Sequence, residues 1–341
     1  MAQISFNIIL LLSEVNNFIT LRSNKIYLLR SFRPDVISDV ISDVISDVIS
    51  DVIMMKFDCY QYRTHCKNKM NLDQFYTKIG VAEKYYEVTK TIIDIDSYTT
   101  LLEPSAGTGS FYKLLDKKRR IGIDLEPKCE GVKQMDFLEY EPDHSKQYLV
   151  IGNPPFGRVS STAIKFFNKA AEFAHAIAFI VPRTFKRISV QNKLHRNFHL
   201  IFNDDIPLKP CAFTPNMNAK CCFQIWVKNN RQREIIKLAT THSDWDFLNY
   251  GPNDERQQPT PPHGADFALK AYGSNCGKIC TDNLQQLRPK SWHWIKSNIP
   301  VQLLINRFRM LDYSISKDTV RQDSIGRGEL VLLYSKTNHC L

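Results

Sequence analysis

The sequence predicts an α/β protein built on an open, mostly parallel sheet, and three observations carry that expectation. AIAFIVP, at 176–182, is an uninterrupted apolar run of the kind that forms a strand covered on both faces. Just before it, Ala163, Phe166, Phe167, Ala170, Ala171 and Ala174 recur at i, i+3, i+4 spacing and mark one face of a helix. Upstream, short strand candidates at 99–103, 120–124 and 148–152 alternate with connecting segments, one of which, 109–117, is predicted as a helix. CCFQIWV, at 221–227, adds a further strand. Alternation of this kind places ligands at the carboxyl ends of the strands.

With 341 residues and 43% hydrophobic content, the chain can bury a full core in one large or two modest domains, which excludes a wholly disordered protein. Its 45 Lys and Arg outnumber 35 Asp and Glu, giving a formal charge of +10 that favours a polyanionic partner. The nine cysteines (59, 66, 129, 211, 221, 222, 276, 280, 340) are odd in number and unevenly spaced, so reduced thiols in a cytoplasmic or nuclear setting are expected. MAQISFNIILLLSEVNNF opens the chain, but no basic residue precedes its apolar stretch and no small-residue cleavage site follows. The stretch is too short to span a bilayer, and no membrane association is expected.

Residues 35–53 repeat DVIS, a period of four that suits neither a helix nor a strand. An expanded low-complexity tract is expected there, with a helical interaction stalk as the alternative. Met54 and Met55 follow at once, so the native product is expected to begin there, with 1–53 dispensable. From about 231 the texture changes; 251–264, which includes PTPP, reads as a long loop, and 265–341 mixes short apolar runs with Trp292, Trp294 and Tyr313. The expected organisation is therefore a disordered extension at 1–54, a catalytic α/β domain at 55–230 and an appended C-terminal region at 231–341.

The chemistry concentrates at the predicted strand ends. LLEPSAGTGSF, 101–111, puts an acid at a strand end, followed by Gly107 and Gly109, where a missing Cβ permits a tight turn and close approach of a ligand. Asp124 ends the next strand, fifteen residues after Gly109, where a carboxylate can accept both hydroxyls of a ribose. Asp136 and Phe137 follow a further short strand. Position 112 is Tyr, so the glycine pattern departs from that of pyrophosphate-bearing dinucleotides and points to a nucleoside without one. IGNPPFG, 151–157, then fixes Asn153 and Phe156 on a stiff corner after YLVI.

Taken in order, LEPSAGTG, IGIDLEP, DFLEY and NPPF resemble the S-adenosylmethionine-dependent amino-methyltransferases, and within them the adenine-N6 group; DQFYTK, 73–78, is similar to the segment that closes over the methionine end of the cofactor. The resemblance covers roughly 73–228 and implies the class I Rossmann-like fold, a mostly parallel seven-stranded sheet flanked by helices. It implies that Glu103 lies near the methionine amino group and that Ala106, Gly107 and Gly109 line the cofactor with backbone. Asp124 would hold the ribose, Asp136 and the backbone of Phe137 would read the adenine, and Phe75, Tyr76 and Thr77 would cover the other side. Ile79 stands where a proline commonly follows FYTK.

Asn153, Pro154, Pro155 and Phe156 would be catalytic: two acceptors grip a planar amine while the ring offers a stacking face. The implied substrate is adenine in nucleic acid, DNA before RNA, with 231–341 choosing the target sequence. RNA adenine or guanine amines, a protein glutamine amide, and an inactive nucleic-acid-binding protein of the same fold are the alternatives. Arg183, Lys186, Arg187, Lys193 and Arg196, within PRTFKRISVQNKLHR, suit phosphate contacts or else a solvated helix face. TPNMN, 214–218, is a loop that could touch substrate. Cys276 and Cys280 lack a second pair at zinc-ligand spacing, so no metal is expected, and SWHW, 291–294, is expected in a core before a base-stacking surface.

Overall fold

The computed structural model describes residues 19–22, 25–28 and 75–338. The DVIS repeat, Met54, Met55, Asp73, Gln74, and Cys59, His65, Cys66 and Cys340 lie outside the described residues. The chain divides into two compact units, Met1–Leu72 and Asp73–Leu341. In the first, β1 (Ile19–Arg22) and β2 (Lys25–Leu28) pair antiparallel, Arg22 opposite Lys25.

In the second unit, β3 (Tyr76–Thr77) leads into α1 (Ile79–Ile92), and the main sheet then begins with β4 (Thr100–Glu103), β5 (Arg120–Asp124) and β6 (Lys133–Gln134). β7 (Tyr148–Gly152), α2 (Ser161–Ala171), β8 (Ala176–Pro182), α3 (Ile188–Gln191), β9 (Phe198–Ile206), β10 (Phe213–Thr214) and β11 (Cys221–Lys228) follow. The seven-stranded order is β6-β5-β4-β7-β8-β11-β9. β11 runs antiparallel to both its neighbours and the other six strands are parallel, so the mostly parallel Rossmann-like sheet implied by the sequence is present.

The two-residue period of the strands sorts side chains into two cores. Leu102, Val150, Ile177, Phe179 and Val181 face Ala163, Phe166, Phe167 and Ala170 of α2. Leu101, Leu149, Ile151, Ala178 and Ile180 face the opposite way, toward Ala82 and Tyr85 of α1. Tyr85 stacks on Phe223 of β11 at 4.5 Å and donates to Asp204 of β9 at 2.9 Å, which fixes α1 across the antiparallel edge. The order reverses between β4 and β7, a switch point that opens a crevice at their carboxyl ends.

One predicted element differs. Residues 109–117 form successive turns and no helix. Gly109 adopts φ +80°, and the Tyr112 amide donates to Glu103 Oε2 at 2.6 Å, so it is withheld from a helical ladder. Two glycines make room for the Tyr112 ring: a Cβ on Gly122 would lie 2.8 Å from its Cδ2, and one on Gly131 would lie 2.6 Å from its hydroxyl.

Beyond residue 230, β12 (Trp245–Leu248), β13 (Phe267–Lys270), β14 (Ile279–Cys280) and β15 (Trp292–Ser297) form an antiparallel sheet in the order β12-β15-β13-β14. α4 (Val301–Arg309) and α5 (Arg327–Asn338) cover one face, packing Leu304, Phe308, Leu330 and Tyr334 on Trp245, Leu269 and Ile295. Trp292 and Trp294 are buried on the other face, which makes SWHW part of a core. The 251–264 segment is a loop between β12 and β13, closed by the Gly251 amide on the Thr260 carbonyl at 2.9 Å.

This region is tied to the main sheet by charge. Lys186 meets Asp318 at 2.9 Å, Arg187 meets Glu329 at 3.4 Å and Lys220 meets Asp323. The Arg187 and Glu329 side chains are 13% and 8% exposed, so removing one partner strands a buried charge. Glu329→Gln keeps an acceptor for the Gly326 amide, 2.8 Å away, but removes the charge. It is expected to destabilise the unit by about 3 kcal/mol, read by chemical denaturation; a loss below about 1 kcal/mol, the range of an exposed pair, contradicts the buried-pair reading.

Candidate functional site

The NPPF corner leaves β7 at the switch point. Ser105 Oγ donates to the Asn153 carbonyl at 3.0 Å, joining this corner to the turn that follows β4. Asn153 Nδ2 donates to the Phe75 carbonyl at 3.0 Å. A carbonyl only accepts, so this contact fixes the amide orientation and turns Oδ1 the other way. Asn153 Oδ1 is buried and has no hydrogen-bond partner. Among the described residues the other such side-chain atoms are Thr77 Oγ1, Arg187 Nε and Trp245 Nε1, so two of the four lie on or beside β3. A buried acceptor without a partner is costly and calls for a functional reason.

Asn153, Pro154, Pro155 and Phe156 line one pocket together with Phe75 and Met217, about 210 Å³ of space with the solvent at its mouth included. Met217 was not singled out in the sequence. It reaches the pocket because β10 pairs with β3, Phe213 opposite Thr77 and Thr214 opposite Tyr76, and because the Met217 amide donates to Cys211 Sγ at 3.4 Å. The TPNMN loop therefore does form part of the pocket wall. Its pairing with FYTK, over a hundred residues away in the chain, brings the loop, already expected as one that could touch substrate, to that wall.

The candidate cofactor residues gather beside this pocket. The turn after β4 carries Ala106, whose amide donates to the Ile123 carbonyl at 2.9 Å, then Gly107 at φ +47°. Gly107 donates its amide to Asp124 Oδ2 at 2.7 Å, and the Glu126 amide donates to Oδ1 at 2.8 Å, so Asp124 is positioned from both sides. The Tyr76 ring packs on Gly107, where a Cβ would lie 2.7 Å from Cε1, and Lys128 sits 4.8 Å from that ring's centre. A Cβ on Gly109 would lie 2.6 Å from Cys129 Sγ, so here the missing side chain admits another part of the protein. Thr77 closes the other side, its carbonyl accepting Ser110 Oγ at 2.6 Å. Asp136 caps a short turn through the Leu138 amide at 2.9 Å, and the Phe137 ring is buried against Phe166.

Glu103 is the charged residue of this group that lies within the core, 2% exposed. Burial pushes its carboxyl well above the usual range, and the Tyr112 amide opposes that shift. A carboxyl with a raised folded-state pKa contributes stability that is complete below about pH 4.3, its unfolded value, and is lost as pH rises through the folded value. Glu103→Gln keeps an acceptor for the amide and removes the desolvated charge. Its melting temperature is expected to exceed that of the parent at pH 8, by about 2–4 °C per kcal/mol recovered, and to converge with it near pH 4. A variant that melts lower at pH 8 contradicts this reading.

The predicted phosphate contacts divide. Arg183 pairs with Asp205 at 3.6 Å and donates to the Cys221 and Ile206 carbonyls. Lys186 bridges Asp205 and Asp318, and Arg187 reaches Glu329 and the Ser324 carbonyl. These three side chains therefore hold the fold together, and their partners lie too far along the chain to be read from the basic run. Lys193 and Arg196 are exposed, Arg196 donating to the Arg233 carbonyl at 2.8 Å. Among the described residues no cluster of three or more His, Cys, Asp or Glu could hold a metal ion, and no helix is long and apolar enough to cross a membrane.

No family model matches the chain, and no curated protein does. Solved structures similar to it include a protein described as an RNA methyltransferase from Pyrococcus horikoshii, 19% identical over 46% of this chain and 88% of that one, with a TM-score of 0.36. A protein described as a class I S-adenosylmethionine-dependent methyltransferase from Listeria monocytogenes is 14% identical over 48% of this chain and 63% of that one, TM-score 0.35. The 23S rRNA methyltransferase ErmE is 13% identical over 48% and 73%, TM-score 0.34. Each is a likeness of fold only.

Proposed function

We propose that the chain methylates the exocyclic N6 amine of adenine in a nucleic acid, taking the methyl group from S-adenosylmethionine. The observation that carries this reading is the partnerless, buried Oδ1 of Asn153, a residue that lines one pocket with Phe156 and two prolines. The adenine amine is a poor nucleophile because its lone pair is delocalised into the ring. Asn153 Oδ1 accepts one N–H and the Pro154 carbonyl accepts the other, which draws the nitrogen toward tetrahedral geometry and frees the lone pair. The prolines fix φ and hold both acceptors still, so little reorganisation is needed as charge develops. Phe156 stacks on the base, a contact worth about 1–3 kcal/mol.

Asp124, the Ala106–Gly109 turn, Asp136, Phe137 and residues 75–77 are proposed to hold the cofactor, and the contacts that join Asp124, Gly107, Tyr76 and Thr77 at the carboxyl ends of the strands support that assignment. When bound, S-adenosylmethionine supplies a methyl group on a sulfonium, which removes the need for a strong general base before attack. Glu103, expected near the methionine amino group, is 2% exposed and has Oε2 taken by the Tyr112 amide, and is proposed to act on that turn instead of on the cofactor directly.

Duplex DNA is the first substrate in this reading, with 231–341 proposed to choose the sequence. Incubating the protein with methyl-labelled cofactor and separate DNA, RNA and protein pools tests it. Label recovered as N6-methyladenine in DNA supports the chemistry and the substrate. N6-methyladenine in RNA alone keeps the chemistry and moves the substrate, and label in protein glutamine refutes it.

A further inference from the structure

Three of the four residues after Phe156 have positive φ, and for the two that are not glycine this backbone is unfavourable. Gly157 has φ +67°, Val159 φ +52° and Ser160 φ +62°. A β-branched residue in the left-handed region is a rare and strained arrangement that persists only where its surroundings over-determine it. Here they do. A Cβ on Gly157 would lie 2.1 Å from Thr162 Oγ1, so only glycine opens the turn. Ser160 closes it, 1% exposed, with its hydroxyl 2.7 Å from that of Thr184. The Ala163 amide reaches back to the Phe156 carbonyl at 3.3 Å.

Between these two pinned ends Val159 stands 77% exposed. A wholly apolar side chain, in the backbone region least suited to it and turned to water, gains nothing from the fold. Strain of this kind gathers at functional sites. Val159 is three residues from Phe156, which puts its Cα within about 11 Å of that of the pocket ring, given 3.8 Å between consecutive Cα atoms. Arg158, directly before it, is also exposed.

We infer that Val159 is an apolar wedge for the nucleic acid. As the target adenine leaves the stack to enter the Asn153 pocket, Val159 packs on the face of the base left without its neighbour, and Arg158 meets the adjacent phosphate. This rests on the proposed function and adds to it how the extruded state is held. The wedge acts on the substrate's pairing and leaves the chemistry at the amine to the clamp.

Val159→Gly removes the side chain at a position where glycine is unstrained, so the variant is expected to melt no lower than the parent. Methyl transfer is compared on two oligonucleotide duplexes of one sequence, the target adenine paired in one and opposite an abasic site in the other. For the variant, kcat/KM is expected to fall at least about tenfold on the paired target, where extrusion must be stabilised, and to stay within about twofold on the unpaired one. Val159→Ile, which keeps an apolar wedge, is expected to retain parental kcat/KM on both. A variant that matches the parent on the paired target, or that loses activity equally on both, overturns the wedge alone. So does a parent active only on the unpaired target. A parent that methylates no adenine in either duplex overturns the reading of the pocket on nucleic acid duplexes and the wedge with it.

Discussion

Asn153→Ala is expected to cut methyl transfer to adenine by about 100- to 1,000-fold, the scale of losing one pre-positioned acceptor in a reaction centre. The loss is expected in kcat, because Oδ1 grips the amine most strongly as its lone pair is freed. Cofactor affinity should fall far less than kcat, since the variant touches the residues assigned to the cofactor through a single hydrogen bond, the one to the Phe75 carbonyl. The fold should tolerate the change: the variant gives up one hydrogen bond to the Phe75 carbonyl and also removes a buried acceptor that has no partner. Asn153→Asp retains an acceptor oxygen while losing the donor to Phe75, and is expected to fall between the two. Steady-state kinetics with a melting curve on each protein decide the matter. Parental turnover in Asn153→Ala would remove the clamp.

The second large effect is expected at Asp124. Its carboxylate already accepts the amides of Gly107 and Glu126 at 2.7 and 2.8 Å, which holds it rigidly at the end of β5. Hydrogen bonds to a charged group contribute about 1.5–3 kcal/mol, so Asp124→Ala is expected to weaken S-adenosylmethionine or sinefungin binding roughly 10- to 100-fold. Calorimetric titration measures this directly. Because the same substitution frees the Gly107 amide, Asp124→Asn serves as the partner variant: it keeps an acceptor for a backbone amide and loses the charge. Affinity unchanged in Asp124→Ala would remove Asp124 from the cofactor site.

What the sequence showed and what it hid divide along one physical line, the distance between partners in the chain. β8 and α2 were legible because an apolar run and a helical period are local patterns, and both are buried as those patterns require. The NPPF corner was legible for the same reason, since stiffness and aromaticity are written into four consecutive residues. The helix expected at 109–117 failed because its decisive contact, the Tyr112 amide on Glu103, is tertiary, and because Tyr112 fills space left by Gly122 and Gly131. The basic run misled in a similar way. Arg183, Lys186 and Arg187 look available for phosphate until Asp205, Asp318 and Glu329 are folded against them. Met217, in the TPNMN loop offered as one that could touch substrate, reaches the pocket through a two-residue strand pairing that no periodicity records. Val159 is a plain residue in the sequence, and only its left-handed backbone and its exposure distinguish it.

Co-crystallisation with sinefungin and an adenine-bearing oligonucleotide tests the clamp most directly. The adenine N6 nitrogen is expected within about 2.7–3.2 Å of both Asn153 Oδ1 and the Pro154 carbonyl oxygen, with the base on the Phe156 ring. An amine directed to solvent, or a base lodged away from Asn153 while the cofactor analogue occupies the crevice, would contradict it.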